Sequence, residues 1–339
     1  MSRARSARFS ILVSLAALIL TGCAHEPAFR AELARAFEAE GKAIAIIGDL
    51  QQTSGLVRLV RRREDNRVEQ RRLIDDLAAR TDELAALVIL GDLVYTARSA
   101  RHWENFDGLV EPFVGSMPIL PAIGNHDYPC YFIQLCRKSK ISRGMLERFP
   151  WFEPGRPYAV ESGDLLLLFL DSESALESQG IWLEDRLESA AAEYSAALVF
   201  FHRPAFTNSI DYGAKPDLDI QQHIVPRLEA AALPVVAFSG HVHGFEYIVR
   251  NGVRYVTSAG GGGPRGPLAD ERPFDSYRGP DCPQGNGVVL RPFNYLLLRE
   301  QPDRLTIEVQ GFCRGDDAIR TLDTIEVPVS PSKSGRSAR

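Results

Sequence analysis

The sequence predicts an α/β fold in which one β-sheet packs on a second, and three observations carry that expectation. Six short apolar runs each end on polar residues. Segments with helical periodicity lie between them. Beyond His243 the pattern changes to hairpins, with "EYIVRNGVRYVTSA" placing Asn251-Gly252 between β-formers, a strong two-residue turn signal.

The first run, "KAIAIIGD" at residues 42–49, is isoleucine-rich, bounded by glycine and short enough to be a buried strand. "ALVILGD" at 86–92, "PILPAIGNHD" at 118–127, "LLLLFLDSE" at 165–173, "ALVFFHRP" at 197–204 and "PVVAFSGHVH" at 234–243 repeat the plan. Helical patterns occupy 66–83, 179–192 with Trp182, Leu183 and Leu187 on one side, and 218–231. Strands alternating with helices imply an α/β sheet whose functional residues gather outside the carboxyl ends of the strands. "NYLLLRE" and "RLTIEVQGF" add strands late in the chain, and a second sheet packing on the first accommodates them.

The N-terminus reads as an export signal. "MSRARSARFS" carries Arg3, Arg5 and Arg8 with no acid, and "ILVSLAALIL" is an apolar core too short to span a bilayer. It closes on "LTGC", which resembles the lipobox of bacterial lipoproteins. That resemblance implies a signal peptide over residues 1–22, lipidation of Cys23 and a membrane-anchored protein of the cell envelope facing the periplasm or exterior. Residues 23–41 are then a tether with a short helix, 42–329 a single domain, and the polar "SPSKSGRSAR" at 330–339 a disordered tail.

Export places the remaining cysteines, Cys130, Cys136, Cys282 and Cys313, where disulfides form, and their spacing suits no zinc motif. Four cysteines allow three pairings; local pairing, Cys130 with Cys136 and Cys282 with Cys313, is the expectation. The formal charge is −5, and loss of residues 1–22 with their three arginines leaves 36 basic against 44 acidic side chains, or −8. Such a balance shows no sign of the basic face that a polyanion binder needs, so no nucleic-acid partner is expected. The basic run "RLVRRRED" at 58–65 reads as a solvated helix or loop surface, with a substrate-facing lid as the alternative.

The chemistry lies at the strand ends. Asp49 alone would be a turn or cap residue. It is joined by Asp92, by Asn125, His126 and Asp127, by His202, and by His241 and His243. Mixed carboxylate and imidazole donors converging on one sheet edge are what borderline divalent metals require. The other histidines, His25, His102 and His223, sit elsewhere, the last two in helix-like segments.

In order, "GDLQ", "GDLVY", "GNHDY", "FHRP" and "GHVHGFE" resemble the calcineurin-like metallophosphoesterase superfamily over roughly residues 42–310. The resemblance implies a four-layer α/β/β/α sandwich of two mixed sheets flanked by helices. It implies two divalent or trivalent metal ions (Mn, Fe, Mg or Zn) bridged by Asp92, one site completed by Asp49 and His243 and the other by Asn125, His202 and His241. A shared carboxylate suits such a pair, because two cations about 3.5–4 Å apart repel each other. The implied activity is hydrolysis of a small phosphate-ester substrate by a metal-bridging hydroxide. His126 would face the phosphoryl group and serve the leaving oxygen, with Asp127 orienting its imidazole. Arg203 is either a phosphate contact or a structural arginine.

Gly48, Gly91, Gly124 and Gly240 each precede a ligand position, where a residue without Cβ lets the backbone turn sharply. The main departure from the family pattern is Gln51, where relatives commonly carry histidine. Its carbonyl is a poorer ligand than imidazole for zinc-like metals, which implies a weak, exchangeable first metal or a water held there instead. "GHVHGFE" and "FHRP" resemble purple acid phosphatases and lean the reading toward phosphomonoesters. The tyrosine ligand of those enzymes has no assigned position here, so a phosphodiesterase stays close behind. A non-catalytic metal-binding envelope lipoprotein is the rival from another class.

"GGGPRG" at 261–266 fits a GxGxxG pattern but holds a proline and precedes no helix, so it reads as a mobile loop beside the metals and not as a dinucleotide site. No GxSxG elbow occurs in the sequence.

Overall fold

In a computed structural model the described residues are 29–39, 41–52, 64–129, 141–211, 215–284 and 288–329. The export signal, Cys23, the Cys130–Cys136 pair, the basic stretch 58–63 and the 330–339 tail lie outside them.

Two sheets stack face to face. One has seven strands in the order β1 (Ala36–Phe37), β5 (Tyr158–Ser162), β6 (Leu165–Phe169), β7 (Ala196–Phe200), β8 (Val235–Ser239), β10 (Val253–Ser258) and β9 (Phe245–Arg250). The other has six, in the order β15 (Arg320–Pro328), β14 (Arg304–Phe312), β13 (Phe293–Glu300), β2 (Ala43–Ile47), β3 (Leu84–Leu90) and β4 (Ile119–Ala122). A short ribbon pairs β11 (Cys282–Pro283) with β12 (Val289–Leu290).

The six apolar runs are the strands β2, β3, β4, β6, β7 and β8, but they do not share one sheet. Three parallel strands, β2, β3 and β4, lie in the six-stranded sheet, and β6, β7 and β8, also parallel, lie in the seven-stranded one. The Asn251-Gly252 hairpin β9–β10 extends that second group, whereas β13 and β14 join the first beside β2. Runs buried on both faces look alike in sequence whichever sheet receives them.

Alternation along each strand sorts side chains into layers. Ile44, Ile46, Val88 and Leu90 point between the sheets, against Leu167, Phe169, Phe200 and Phe238. Ala45, Ile47, Leu87 and Ile89 point outward, under α1 (Arg67–Ala78) and α2 (Ala100–Val110), whose Leu73, Leu77, Trp103 and Phe106 cover them. Leu168, Val199 and Ala237 meet Leu183, Leu187 and Leu228 of the helices on the opposite face. The result is helix, sheet, sheet, helix. Between the sheets, rings on neighbouring strands stack in series: Tyr158 on Phe169 at 4.4 Å, Phe169 on Phe200 at 4.7 Å and Phe200 on Phe238 at 5.1 Å. Each such buried ring contributes about 1.5–3 kcal/mol over an exposed one.

Helix bounds depart from the pattern where capping or proline decides. The 66–83 segment is α1 followed by a 3-10 turn at Thr81–Glu83. A short helix, α3 (Arg143–Arg148), is capped by Ser142. The 179–192 pattern is the core of α4 (Leu176–Glu193). The 218–231 segment breaks into α5 (Leu218–His223) and α6 (Val225–Ala230), because Pro226 has no amide hydrogen to continue the ladder. The expected short helix ahead of the domain does not form over 29–39. There Ala36 and Phe37 pair with Glu161 and Ser162 as an edge strand, and the Glu161 amide donates to the Arg35 carbonyl at 2.9 Å. Of the cysteines, Cys282 and Cys313 form the expected disulfide, with Cα atoms 5.5 Å apart.

Candidate metal centre

The carboxyl ends of β2, β3, β4, β7 and β8 meet at one rim of the sandwich, and their loops bring six donor residues together. Asp92, His202 and His241 offer one set of ligand atoms within 4.8 Å of one another, and Asp49, Asp92 and His243 offer a second. Asp92 belongs to both. Asn125 joins the first set, its Oδ1 lying 3.2 Å from His202 Nε2. All the donors except His243 are buried, and His243 is nearly so.

Backbone conformation is the strongest local signature. Asp49, Asp92, His241 and His243 all have positive φ, at 59°, 52°, 74° and 47°. Residues with a Cβ adopt that left-handed region at a cost of about 1–2 kcal/mol each, so the surroundings must impose it. Of the four glycines ahead of ligands, Gly91 alone is left-handed, with φ 86°. The other three are needed for close approach. A Cβ on Gly124 would lie 2.3 Å from Asp92 Oδ1, and one on Gly240 would lie 2.7 Å from both Asp49 Oδ2 and the Leu90 carbonyl. Gly48 would meet the Ser258 carbonyl at 2.4 Å. The turn is therefore made by the ligands themselves, and glycine makes room.

Backbone carbonyls orient the imidazoles. His202 Nδ1 donates to the Leu90 carbonyl at 2.8 Å, His243 Nδ1 to that of Pro264 at 2.9 Å and His126 Nδ1 to that of Tyr95 at 2.7 Å. That leaves Nε2 of His202 facing Asp92 Oδ1 at 3.4 Å, and Nε2 of His243 facing Asp49 Oδ1 at 3.4 Å. Lone pairs thus converge on lone pairs unless positive charge sits among them.

The protonation equilibria express that demand. Burial alone would raise Asp92, yet the facing His202 and His126 hold it far below the carboxylate range. Burial opposes protonation of His202, but Asp92 overrides it and pushes the imidazole up to about 10. Burial raises Asp49 against the pull of His243, whereas His243 is raised by Asp49 in spite of burial. His241 is driven well down by burial, then by His202 and Arg203. A buried set of two carboxylates, an amide oxygen and three imidazoles, drawing positive charge toward itself, fits a pair of borderline cations.

The family model for calcineurin-like phosphoesterases matches residues 42–245. This chain belongs to the calcineurin-like phosphoesterase family. A purple acid phosphatase from seeds of yellow lupin (Lupinus luteus) superposes with a TM-score of 0.62 at 16% identity, covering 85% of this phosphoesterase but 53% of the lupin chain, so the chain spans about half that protein's length. A dimetal phosphatase from Danio rerio gives a TM-score of 0.55 at 13% identity over 86% of this chain and 99% of its own. GAP50, the anchor in the inner membrane complex of Plasmodium, gives 0.58 at 13% identity over 86% and 90%. These likenesses are of fold. No curated protein matches the phosphoesterase by sequence.

One expectation needs correction. Asp127 does not orient His126. Its carboxylate accepts backbone N–H groups from Leu93 at 2.9 Å, Val94 at 3.3 Å and Gly124 at 2.9 Å, tying the loop after β3 to the loop after β4, while a carbonyl holds the imidazole. The glycine-rich loop lies beside the centre, as expected, and its backbone is bonded to the strand end that carries Asp49. Gly261 N bonds the Gly48 carbonyl and Gly263 N the Asp49 carbonyl, each at 3.0 Å, and residues 259–265 are buried. Gln51 stands among the donors through its side-chain amide. Its Nε2 lies 2.9 Å from both Asp92 Oδ2 and His243 Nε2, and its buried Oε1 has no hydrogen-bond partner.

Arg203 lies at the rim. Its Nε and Nη2 donate to the two oxygens of Glu173 at 2.5 and 3.1 Å, and its Nη1 is 3.3 Å from His241 Nε2. The motifs gave no role to Ser172, Glu173 or Tyr95. The "DSE" that ends β6 was visible as a strand end, and Tyr95 as the third residue after Asp92. The Tyr95 ring lies 5.2 Å from the His126 ring.

Proposed function

We propose that this phosphoesterase hydrolyses small phosphate monoesters with the help of two metal ions. The observation that carries the reading is the pair of three-residue donor groups sharing Asp92, built on ligands held in a left-handed backbone. Asp49, Asp92 and His243 would hold one ion, and Asp92, Asn125, His202 and His241 the other. When bound, such a pair acidifies water and neutralises charge developing on the attacking and leaving oxygens. The chain's own part is to exclude bulk water around Asp92, to aim the imidazoles through the Leu90 and Pro264 carbonyls, and to handle the leaving group's proton.

His126 is the group for that proton. The Tyr95 carbonyl fixes Nδ1 as the N–H, so Nε2 is the nitrogen that gains and yields a proton. Burial lowers its affinity for protons in spite of nearby Asp92, which favours release to an oxygen leaving group. Gln51 makes the first site the weaker one. Turning its amide over exchanges Nε2 for the unpartnered Oε1 and offers an oxygen ligand that suits manganese, magnesium or iron better than zinc.

Assay of a chromogenic monoester and the matching diester, each with Mn, Mg, Fe or Zn added, tests the reading. Monoester turnover well above diester turnover is the expected result. Faster diester turnover makes the protein a phosphodiesterase, and two zinc ions retained through dialysis contradict the weak first site. No turnover of either ester, with metal bound, returns the protein to the binding-module reading. We also propose that Cys23 is lipidated and holds the domain at the envelope membrane. Among the described residues no helix is long and apolar enough to cross a membrane. Cys23→Ala is expected to release the protein into the soluble envelope fraction.

A further inference from the structure

Five of the six apolar runs deliver donor residues, and the sixth, β6, ends on Asp171, Ser172 and Glu173, to which none of the chemistry above gives a part. All three are buried. Ser172 Oγ accepts the backbone N–H of His202 at 3.2 Å and of Arg203 at 3.1 Å, fixing the loop that carries a ligand and the arginine after it. Glu173, 3% exposed, grips Arg203 with both carboxylate oxygens. A forked guanidinium–carboxylate pair sets the plane of the arginine as well as its distance. Two of the three guanidinium nitrogens are thereby committed, and the third, Nη1, points to the His241 edge of the donor cluster at 3.3 Å. Asp217 Oδ2 stands 3.9 Å from Nε on the other side, while its Oδ1 caps α5 through the Ile220 amide at 3.0 Å. The Arg203 side chain keeps 23% of its surface open to solvent, so a small anion can reach it.

We propose that Glu173 is a positioning residue for substrate binding, holding Arg203 so that Nη1 meets an anionic phosphoryl oxygen at the His241 side of the metal centre. The inference rests on the phosphoester reading above. Leaving a charged acceptor such as Glu173 buried is tolerated because the pair is forked and close. Its benefit is a guanidinium that cannot swing away when the phosphoryl group arrives.

Glu173→Gln keeps the side-chain volume but replaces one acceptor of the fork by a donor. With metal-loaded protein, this variant and Arg203→Lys are each expected to raise KM for the ester about tenfold, the scale of one charge-assisted hydrogen bond. Both should leave kcat within about twofold, because the acid and the nucleophile are untouched. Combining them should add little to either alone, since they act as one unit. Binding of inorganic phosphate, measured by calorimetry without turnover, should weaken in parallel, with metal stoichiometry unchanged. Loss of metal with unchanged KM, or fully additive effects, overturns the proposal. If wild type binds phosphate and Glu173→Gln binds it equally well, the proposal fails while the phosphoester reading stands. If wild type neither binds phosphate nor cleaves an ester, that reading fails and takes this one with it. Should Glu173→Gln not fold, Arg203→Lys carries the same test on KM and phosphate affinity.

Discussion

The two sheets bring different chemistry to the rim they share. The six-stranded sheet supplies oxygen donors, Asp49, Asp92 and Asn125, from the ends of β2, β3 and β4. The seven-stranded sheet supplies nitrogen donors, His202, His241 and His243, from the ends of β7 and β8. Each of the two donor groups draws on both sheets. Neither sheet alone supplies a whole donor group, so the apolar layer between them, with Phe200 and Phe238 at 0% exposure, sets the distances between donors. Contacts across the seam include the His202 bond to the Leu90 carbonyl and the His241 amide bond to Asp49 Oδ2 at 3.0 Å.

The largest break in this pairing comes at Asp92, the one residue in both donor groups. Asp92→Asn is expected to lose both metals and to lower ester hydrolysis by more than about a hundredfold, read by elemental analysis beside the assay. His202→Ala touches one group only and should retain one ion per chain; equal loss of both ions in the two variants would deny the division of labour. His126 stands apart from the donor groups on the oxygen side. His126→Ala is expected to keep the metal and lower kcat by about a hundredfold, the scale of a lost general acid.

Away from the rim the effects are on stability. Cys282 and Cys313, 31 residues apart, tie the β11–β12 ribbon to the end of β14. Cys313→Ser is expected to lower unfolding free energy by about 3 kcal/mol in a denaturant titration, through the freer unfolded chain, without changing metal content. The smallest effect lies at the far end of the seam, where Glu300 of β13 faces Ser195 ahead of β7. Burial, aided by Asp164, pushes this carboxyl from 4.5 up to about 7. Its folded form binds the proton more tightly than its unfolded form, so its stabilising contribution is full below about pH 4.5 and disappears as pH rises through about 7. Glu300→Gln should therefore flatten the fall in denaturation midpoint between pH 5 and pH 8, a slope the same titration measures.

The sequence showed all six strand ends because buried strands are short apolar runs, and it showed the donors because their residue types are rare in such places. It did not show which strands share a sheet, since "ALVILGD" and "ALVFFHRP" are equally apolar on both faces. The left-handed turns were hidden for a related reason. Glycine advertises such a conformation, whereas Asp49 and His241 adopt it only because the opposite sheet holds them there. Asp127 looked like a partner for His126 by adjacency, yet a short turn at Asn125–Asp127 sends the two side chains to different partners. Glu173 was passed over because its meaning depends on Arg203, 30 residues away, and no local pattern joins them.

The left-handed backbone at four donor positions also shapes how this protein can change. Glycine would be at ease at His243, so replacing that imidazole by glycine relaxes the backbone while removing one donor. Aspartate and histidine in such cramped bends hold torsion angles that their own side chains disfavour, and the facing sheet supplies the restraint.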